Sequence, residues 1–184
     1  PKNIIIGYRA SYPIMELKLI SHGAQKEEIA EACKKIREQI CGVLVCEDSF
    51  DCPKLIADKI GMAAVNIFDS ATSGNIALEM SSAVNVKKAL AVSAPYNKEL
   101  EHILNDKECA YFIAVIKEQD QDGIKLFLSS KNAGIDKTFG IKLNVTIKNK
   151  SKAAYTLAVQ MLLLRILNKQ DIPKLVIGEI TQLS

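Results

Sequence analysis

The 184-residue sequence has no tryptophan, two histidines and no apolar run approaching the roughly 18 residues that a membrane-spanning helix needs. It also has no CxxC pair, and its five cysteines are odd in number, which excludes a disulfide framework and a paired zinc site. Neither His22 nor His102 stands at metal-ligand spacing from a cysteine. We therefore expect no metal ion, no cofactor and a reducing compartment. The cysteines are Cys33, Cys41, Cys46, Cys52 and Cys109.

The sequence also lacks a cluster of basic residues, because the net charge of +3 is spread along the whole chain. Binding to a phosphate backbone needs a concentrated basic face, so a nucleic-acid partner is not expected. Hydrophobic side chains make up 48% of the residues, enough for one sizeable core or two modest ones. With no charged-then-apolar signal segment, we expect a soluble cytoplasmic protein. Pro1 in place of Met is consistent with a piece of a longer chain.

The first 48 residues predict a small ββαβ domain. Residues 3–8 and 15–20 read as two strands of a hairpin with a turn at Ser11, Tyr12 and Pro13. Apolar residues recur at helical spacing over 26–40, between Gly23 and Gly42. The short apolar run at 43–46 predicts a third strand, which would let the helix bury its apolar face against the sheet.

A second domain is predicted over residues 52–170. Strands at 62–68, 86–92 and 109–116 alternate with helices at 54–60, 76–84 and 98–104, which favours a sheet covered on both faces. A meander follows at 124–130 and 139–147, and then a long, mostly buried helix at 153–167 capped by Ser151. The fold class is therefore α/β (α+β), a three-layer α/β/α domain with a mixed sheet. Residues 171–184 form a tail that either adds an edge strand or stays loose.

One segment carries chemistry: Asp69, Ser70, Ala71, Thr72, Ser73 and Gly74 lie where a buried strand turns into a helix. Such a turn brings hydroxyls, a carboxylate and free amides to the carboxyl edge of the sheet, where open α/β sheets bind ligands. Two interpretations of this segment stay open, a reaction centre and a simple helix cap, since these residue types are also ordinary helix caps. A serine nucleophile needs a base within hydrogen-bond reach, and no His or Lys stands beside Ser70 in sequence.

With this segment in view, the chain resembles the C-terminal part of the CinA-type (competence/damage-inducible) proteins, whose last domain is a nicotinamide mononucleotide amidohydrolase. That family reads Glu-Ser-Cys-Thr-Gly-Gly where this chain has residues 69–74. The stretch from Tyr8 to Leu19 with the helix to Gln39 is similar to the small KH-like linker domain of long family members. The resemblance implies a nucleophilic Ser70, with Asp69, Thr72, Ser73 and Gly74 on the substrate side.

The chain departs from the family at two elements. The Tyr-Ser-Asn-Glu-x-Lys element that supplies the lysine partner of the serine has its nearest counterpart in Tyr96, Asn97 and Lys98, so Lys98 is the one substitute base. The family's Gly-Ile-Ala-Gly-Pro loop is replaced by residues 117–121. These residues include no glycine, so the close approach of the backbone to the nucleotide that glycine allows is not expected here. The KH-like region also lacks the GXXG loop of RNA-binding KH domains.

Two functions follow from these departures. The first is a divergent CinA-like protein without amidohydrolase activity, in a structural, oligomerising or ligand-holding role. The second is an active amidohydrolase on nicotinamide mononucleotide, with Ser70 as nucleophile and Lys98 as relocated base. A nucleotide-like small molecule or a second copy of the chain is the partner that these two functions imply.

Overall fold

The computed structural model describes residues 3–11, 14–44, 46–47, 51–92, 106, 108–117, 122–144, 148–172, 174–175 and 178–184. The helices within these ranges are α1 (Lys26–Ile40), α2 (Cys52–Ile60), α3 (Asn75–Ser81) and α4 (Lys148–Leu167). The strands are β1 (Ile4–Ser11), β2 (Ile14–Ser21), β3 (Val65–Asp69), β4 (Val86–Ala91), β5 (Tyr111–Ile116), β6 (Ile124–Ser130), β7 (Ile135–Leu143) and β8 (Gly178–Gln182).

Six strands form one mixed sheet in the order β4-β3-β5-β6-β7-β8. The strand β3 pairs in parallel with both β4 and β5, whereas every pair from β5 to β8 is antiparallel. The predicted α/β class with a mixed sheet is therefore confirmed. The strand β8 lies in the predicted tail, and it takes the edge-strand alternative by pairing with β7.

The main core lies between one face of this sheet and three helices, α2, α3 and α4. Alternate residues of β6, with Leu126 and Leu128 buried, point into it, as a strand with one covered face requires. The helix α4 contributes Val159, Leu162 and Leu163, all 1% exposed or less. Its predicted burial is confirmed, although it begins at Lys148, so Ser151 lies inside the helix and is not its cap.

The opposite face of the sheet carries a second apolar cluster around Phe68, Phe112 and Ala114. The helix predicted at 98–104, which would form a third layer, lies outside the described residues. The three-layer arrangement therefore stays a prediction, while the helix layer on the first face is observed.

The N-terminal region consists of the hairpin β1–β2 and α1, and α1 has the predicted bounds. The two predicted strands are also observed, but β1 extends three residues beyond its predicted end and includes Ser11, which the sequence predicts to lie in the turn. The third strand predicted at 43–46 is wrong for the described residues, since Val43 lies in a turn and neither Leu44 nor Cys46 is in a strand. The amides of Val43 and Leu44 instead donate to the carbonyl of Ile40, at 2.9 and 2.8 Å, and so close the end of α1. The carbonyl of the last helical residue is thus satisfied locally rather than in a sheet.

The longest helix, α4, has 20 residues but keeps polar side chains such as Gln160 and Arg165. No helix in the described ranges combines the length and the apolar character needed to cross a membrane.

Candidate functional site

The turn after β3 lies at the carboxyl edge of the three parallel strands. From β3 the chain passes through α3 to β4 on one side, whereas β5 lies on the other side. The order in which successive strands are added across the sheet therefore reverses at β3, which is the position where open α/β sheets form a ligand crevice. Residues 69–74 occupy that position, as the sequence predicts.

The Asp69 carboxylate organises this turn from a fully buried position. Its Oδ1 accepts the amides of Ala71 and Thr72 at 3.1 and 2.7 Å. Its Oδ2 accepts the amide of Ile76 at 3.3 Å and also the Thr72 hydroxyl. The Thr72 Oγ1 in turn accepts the Ile76 amide at 3.2 Å. Both side chains thus accept the amide of Ile76 in the first turn of α3, and Asp69 also accepts two amides of the turn before the helix, which agrees with the capping interpretation of the sequence pattern.

Ser70 is half-buried beside this capped turn, and its hydroxyl faces the end of β5. Its amide donates to the carbonyl of Val115 at 2.9 Å, and its Oγ accepts the backbone N–H of Lys117 at 3.3 Å. Among the described residues, no imidazole, amine or carboxylate forms a hydrogen bond with this Oγ. A backbone amide donates a hydrogen bond but takes up no proton, so this contact positions Ser70 without activating it.

Ser73 and Gly74 both adopt left-handed backbone conformations, with φ of 59° and 87°. Glycine is strongly favoured at 74, because other residues rarely adopt this φ and a Cβ there would make a tight contact of 3.0 Å with the Cβ of Ala91. Ser73 is exposed and carries the steric cost of this conformation without a compensating side-chain hydrogen bond among the described contacts.

Ser73→Gly is therefore expected to raise the free energy of unfolding by up to about 1 kcal/mol, since glycine removes the left-handed penalty. Urea unfolding, monitored by circular dichroism, measures this change in the free energy of unfolding. The matched control is Ser82→Gly, where φ is −72° and glycine brings no such gain. An equal change in both variants would contradict the assignment of strain to Ser73.

Lys87 and Lys88 lie at the other end of the parallel strands. Lys88 pairs in register with Asn66, four residues before Ser70, which corresponds to roughly 13 Å along the strand. The amine of Lys88 lies 2.7 Å from Asp106, and this contact leads the causes that lower the pKa of Asp106 to about 2. Lys87 pairs with Glu108 and Asp106. Both lysines are therefore engaged in ion pairs away from the serine.

The structure thus brings together five of the six predicted site residues, Asp69, Ser70, Thr72, Ser73 and Gly74. Lys98, the predicted base, lies outside the described residues, as does His102. Sequence reasoning missed Lys117 as a neighbour of Ser70. The available signal was its position directly after β5, because carboxyl ends of adjacent parallel strands meet at one edge.

A metal centre has no counterpart in the part of the chain that the structure describes, where no three His, Cys, Asp or Glu side chains are grouped as ligands. Cys52 is buried, and burial is the main cause that raises the pKa of its thiol to about 12. A thiol with so high a pKa is a small apolar side chain rather than a reactive group.

No protein-family model matches this chain, and no curated protein matches it. The resemblance to the CinA-type proteins therefore stays a prediction from the motifs.

Proposed function

We propose that the chain is a divergent CinA-like protein that has no amidohydrolase activity and serves a structural, oligomerising or ligand-holding role in the cytoplasm. The observation that carries the proposal is the hydrogen bonding of Ser70, whose Oγ accepts the Lys117 backbone amide at 3.3 Å. Within the part of the chain that the structure describes, no group that could accept a proton contacts this hydroxyl, and nucleophilic catalysis needs such an acceptor.

The neighbouring polar groups support the same proposal. The Asp69 carboxylate accepts the amides of Ala71, Thr72 and Ile76 and the Thr72 hydroxyl, so it has no capacity left for a substrate or for the Ser70 proton. The Thr72 hydroxyl donates a hydrogen bond to Asp69 and accepts one from the Ile76 amide, so it is likewise engaged. The side chains of Asp69 and Thr72 are thus used to hold the turn, and a small-molecule nucleotide would meet mainly Ser70 and Ser73.

We expect the protein to release no ammonia from nicotinamide mononucleotide above the level of a Ser70→Ala variant. The measurement is enzymatic ammonia detection over an extended incubation. Ser82→Ala is the matched control, since Ser82 is an exposed serine at the other end of α3. Turnover that survives in Ser82→Ala and is lost in Ser70→Ala would overturn the proposal.

The second candidate is an active nicotinamide mononucleotide amidohydrolase. The observation in its favour is the position of Ser70 at the carboxyl edge of β3, β4 and β5, where ligands bind in open sheets. Under this function Lys98 is the base that the sequence predicts, and Lys117 is a second candidate, because its backbone amide contacts the Ser70 hydroxyl. Separate Lys98→Ala and Lys117→Ala variants distinguish the two candidate bases. Replacing the lysine that acts as the base should remove most of the turnover, whereas replacing the other lysine should change it little.

A further inference from the structure

The hairpin β1–β2 presents one face made almost entirely of apolar side chains. Directly paired residues share a face, so Ile6 and Tyr8 of β1 lie with Leu19 and Leu17 of β2. Tyr8 is 76% exposed, Met15 65% and Ile6 55%. Together with Leu17, these side chains expose an apolar area on the order of 400 Å², the size of the largest apolar patch on a typical monomer, and such patches are often functional.

No described residue between 3 and 47 with an assigned burial is buried, so this region has no core of its own. A two-stranded hairpin alone is marginally stable, and three or more strands with an apolar face are needed for independent stability. The two-stranded sheet of β1 and β2 has no third strand among the described residues. The outer edge of β2 thus pairs with no described strand, and an unpaired strand edge is a template for pairing with another chain.

We propose that a second copy of this chain occupies that edge, with β2 pairing antiparallel to β2 of the copy about a two-fold axis at Leu17. The two hairpins then form a continuous four-stranded sheet, in the order β1-β2 followed by β2 and β1 of the copy. An antiparallel pair of identical strands is self-complementary, which is the requirement for a closed dimer. The interface lies on a different surface from residues 69–74.

The backbone hydrogen bonds of the hairpin fix which residues of β2 point outward. The amide of His22 donates to the carbonyl of Asn3 at 2.9 Å, so this pair is a hydrogen-bonded one. Because such pairs alternate along an antiparallel ladder, Met15, Leu17 and Leu19 direct their backbone groups away from β1. A two-fold axis at Leu17 pairs Met15 with Leu19 of the copy and gives about six interchain backbone hydrogen bonds.

The charges of β2 select this register over its neighbours. Glu16 and Lys18 flank Leu17 on the other face of the sheet, where their side chains lie 3.5 Å apart within one chain. With the axis at Leu17, each Glu16 opposes Lys18 of the copy, and Ile14 opposes Ile20. An axis at Glu16 or Lys18 would place two like charges directly opposite each other, which destabilises a cross-strand pair.

The edge of β1 offers no such match. An axis at Gly7 would place Arg9 opposite Ile5 of the copy, and an axis at Arg9 would place two guanidinium groups together. The outer strand of the dimer is therefore β1, and the inner one is β2.

Charge reversal tests the register by sedimentation equilibrium of the full chain under reducing conditions. The wild type is expected to reach about twice its 20.2 kDa mass with rising concentration. Glu16→Lys and Lys18→Glu each place like charges across the axis and should raise the dissociation constant about tenfold. An equimolar mixture of the two variants, or the double variant carrying both changes, restores unlike pairs and should restore the dimer. Glu38→Lys and Lys34→Glu, exposed charges on α1, are the matched controls.

A cross-link tests the axis directly. Leu17→Cys places two thiols at hydrogen-bonded partner positions about 5.5 Å apart between Cα atoms, within disulfide range, so oxidation should give a covalent dimer. Met15→Cys keeps the same native cysteines but lies roughly 13 Å from its own copy and should not cross-link through residue 15.

A monomeric wild type at all concentrations, a dimer insensitive to both charge reversals, or equal cross-linking at positions 15 and 17 would each overturn the proposal. These readouts are mass and cross-linking rather than turnover. The dimer can therefore fail while the proposal of an inactive Ser70 stands, and the reverse also holds.

Discussion

Asp69→Ala is expected to lower the free energy of unfolding by about 3 kcal/mol or more, the largest effect of any single change in the turn. The substitution removes the acceptor of three backbone amides and the Thr72 hydroxyl in a fully buried position. Each buried donor left without a partner costs roughly 1–3 kcal/mol, although Ile76 keeps Thr72 Oγ1 as a second acceptor. Chemical unfolding measured by circular dichroism gives the value.

The matched control is Asp51→Ala at the start of α2. Asp51 is also a helix cap, but it is exposed and accepts a single amide, that of Lys54 at 3.1 Å. Loss of an exposed cap typically costs about 1 kcal/mol. Similar losses in the two variants would mean that the Asp69 carboxylate does not hold the turn. Asp69→Asn should fall between them, because an amide keeps one acceptor oxygen but turns donor groups toward Thr72 and Ile76.

The helix and strand bounds could be predicted wherever the hydrophobic period and its punctuation agree. The helix at 26–40 follows from apolar residues at helical spacing, and β6 follows from alternation over 124–130. The run at 43–46 misled the prediction because four apolar residues fit a strand or the close of a helix equally well. Local hydrogen bonds to Ile40 decide between the two, and these depend on geometry that the period does not encode.

The sequence predicts where the candidate site lies in the fold, but not which groups its side chains contact. Polar residues between a buried strand and a helix indicate the sheet edge, and both the ligand and the capping interpretations follow from the same residue types. The choice between them rests on which groups Asp69 and Ser70 contact. The partner of Ser70 is the backbone of Lys117, 47 positions away, and a backbone contact leaves no trace in residue identity.

Phe139→Ala is expected to lower the free energy of unfolding by about 3–5 kcal/mol, because it leaves a large cavity in the main core. Phe139 is 1% exposed on β7 and belongs to the same cluster as Ile67 of β3 and Leu162 of α4. The antiparallel and parallel halves of the sheet therefore share one core, and the variant should lower the whole unfolding transition while keeping it single. Coincidence of circular dichroism and tyrosine fluorescence across the urea transition tests this.

Two controls show whether the effect belongs to the shared core. Phe127 is a half-buried phenylalanine on the neighbouring strand β6, and it packs against the second cluster instead. Phe127→Ala should therefore cost clearly less than Phe139→Ala. Tyr8→Ala changes an exposed aromatic residue of the hairpin, outside this core, and should stay within about 0.5 kcal/mol for the same transition. Two separate transitions in Phe139→Ala would show that the halves unfold independently, and then the sheet edge carrying Ser70 would not depend on the packing of β7.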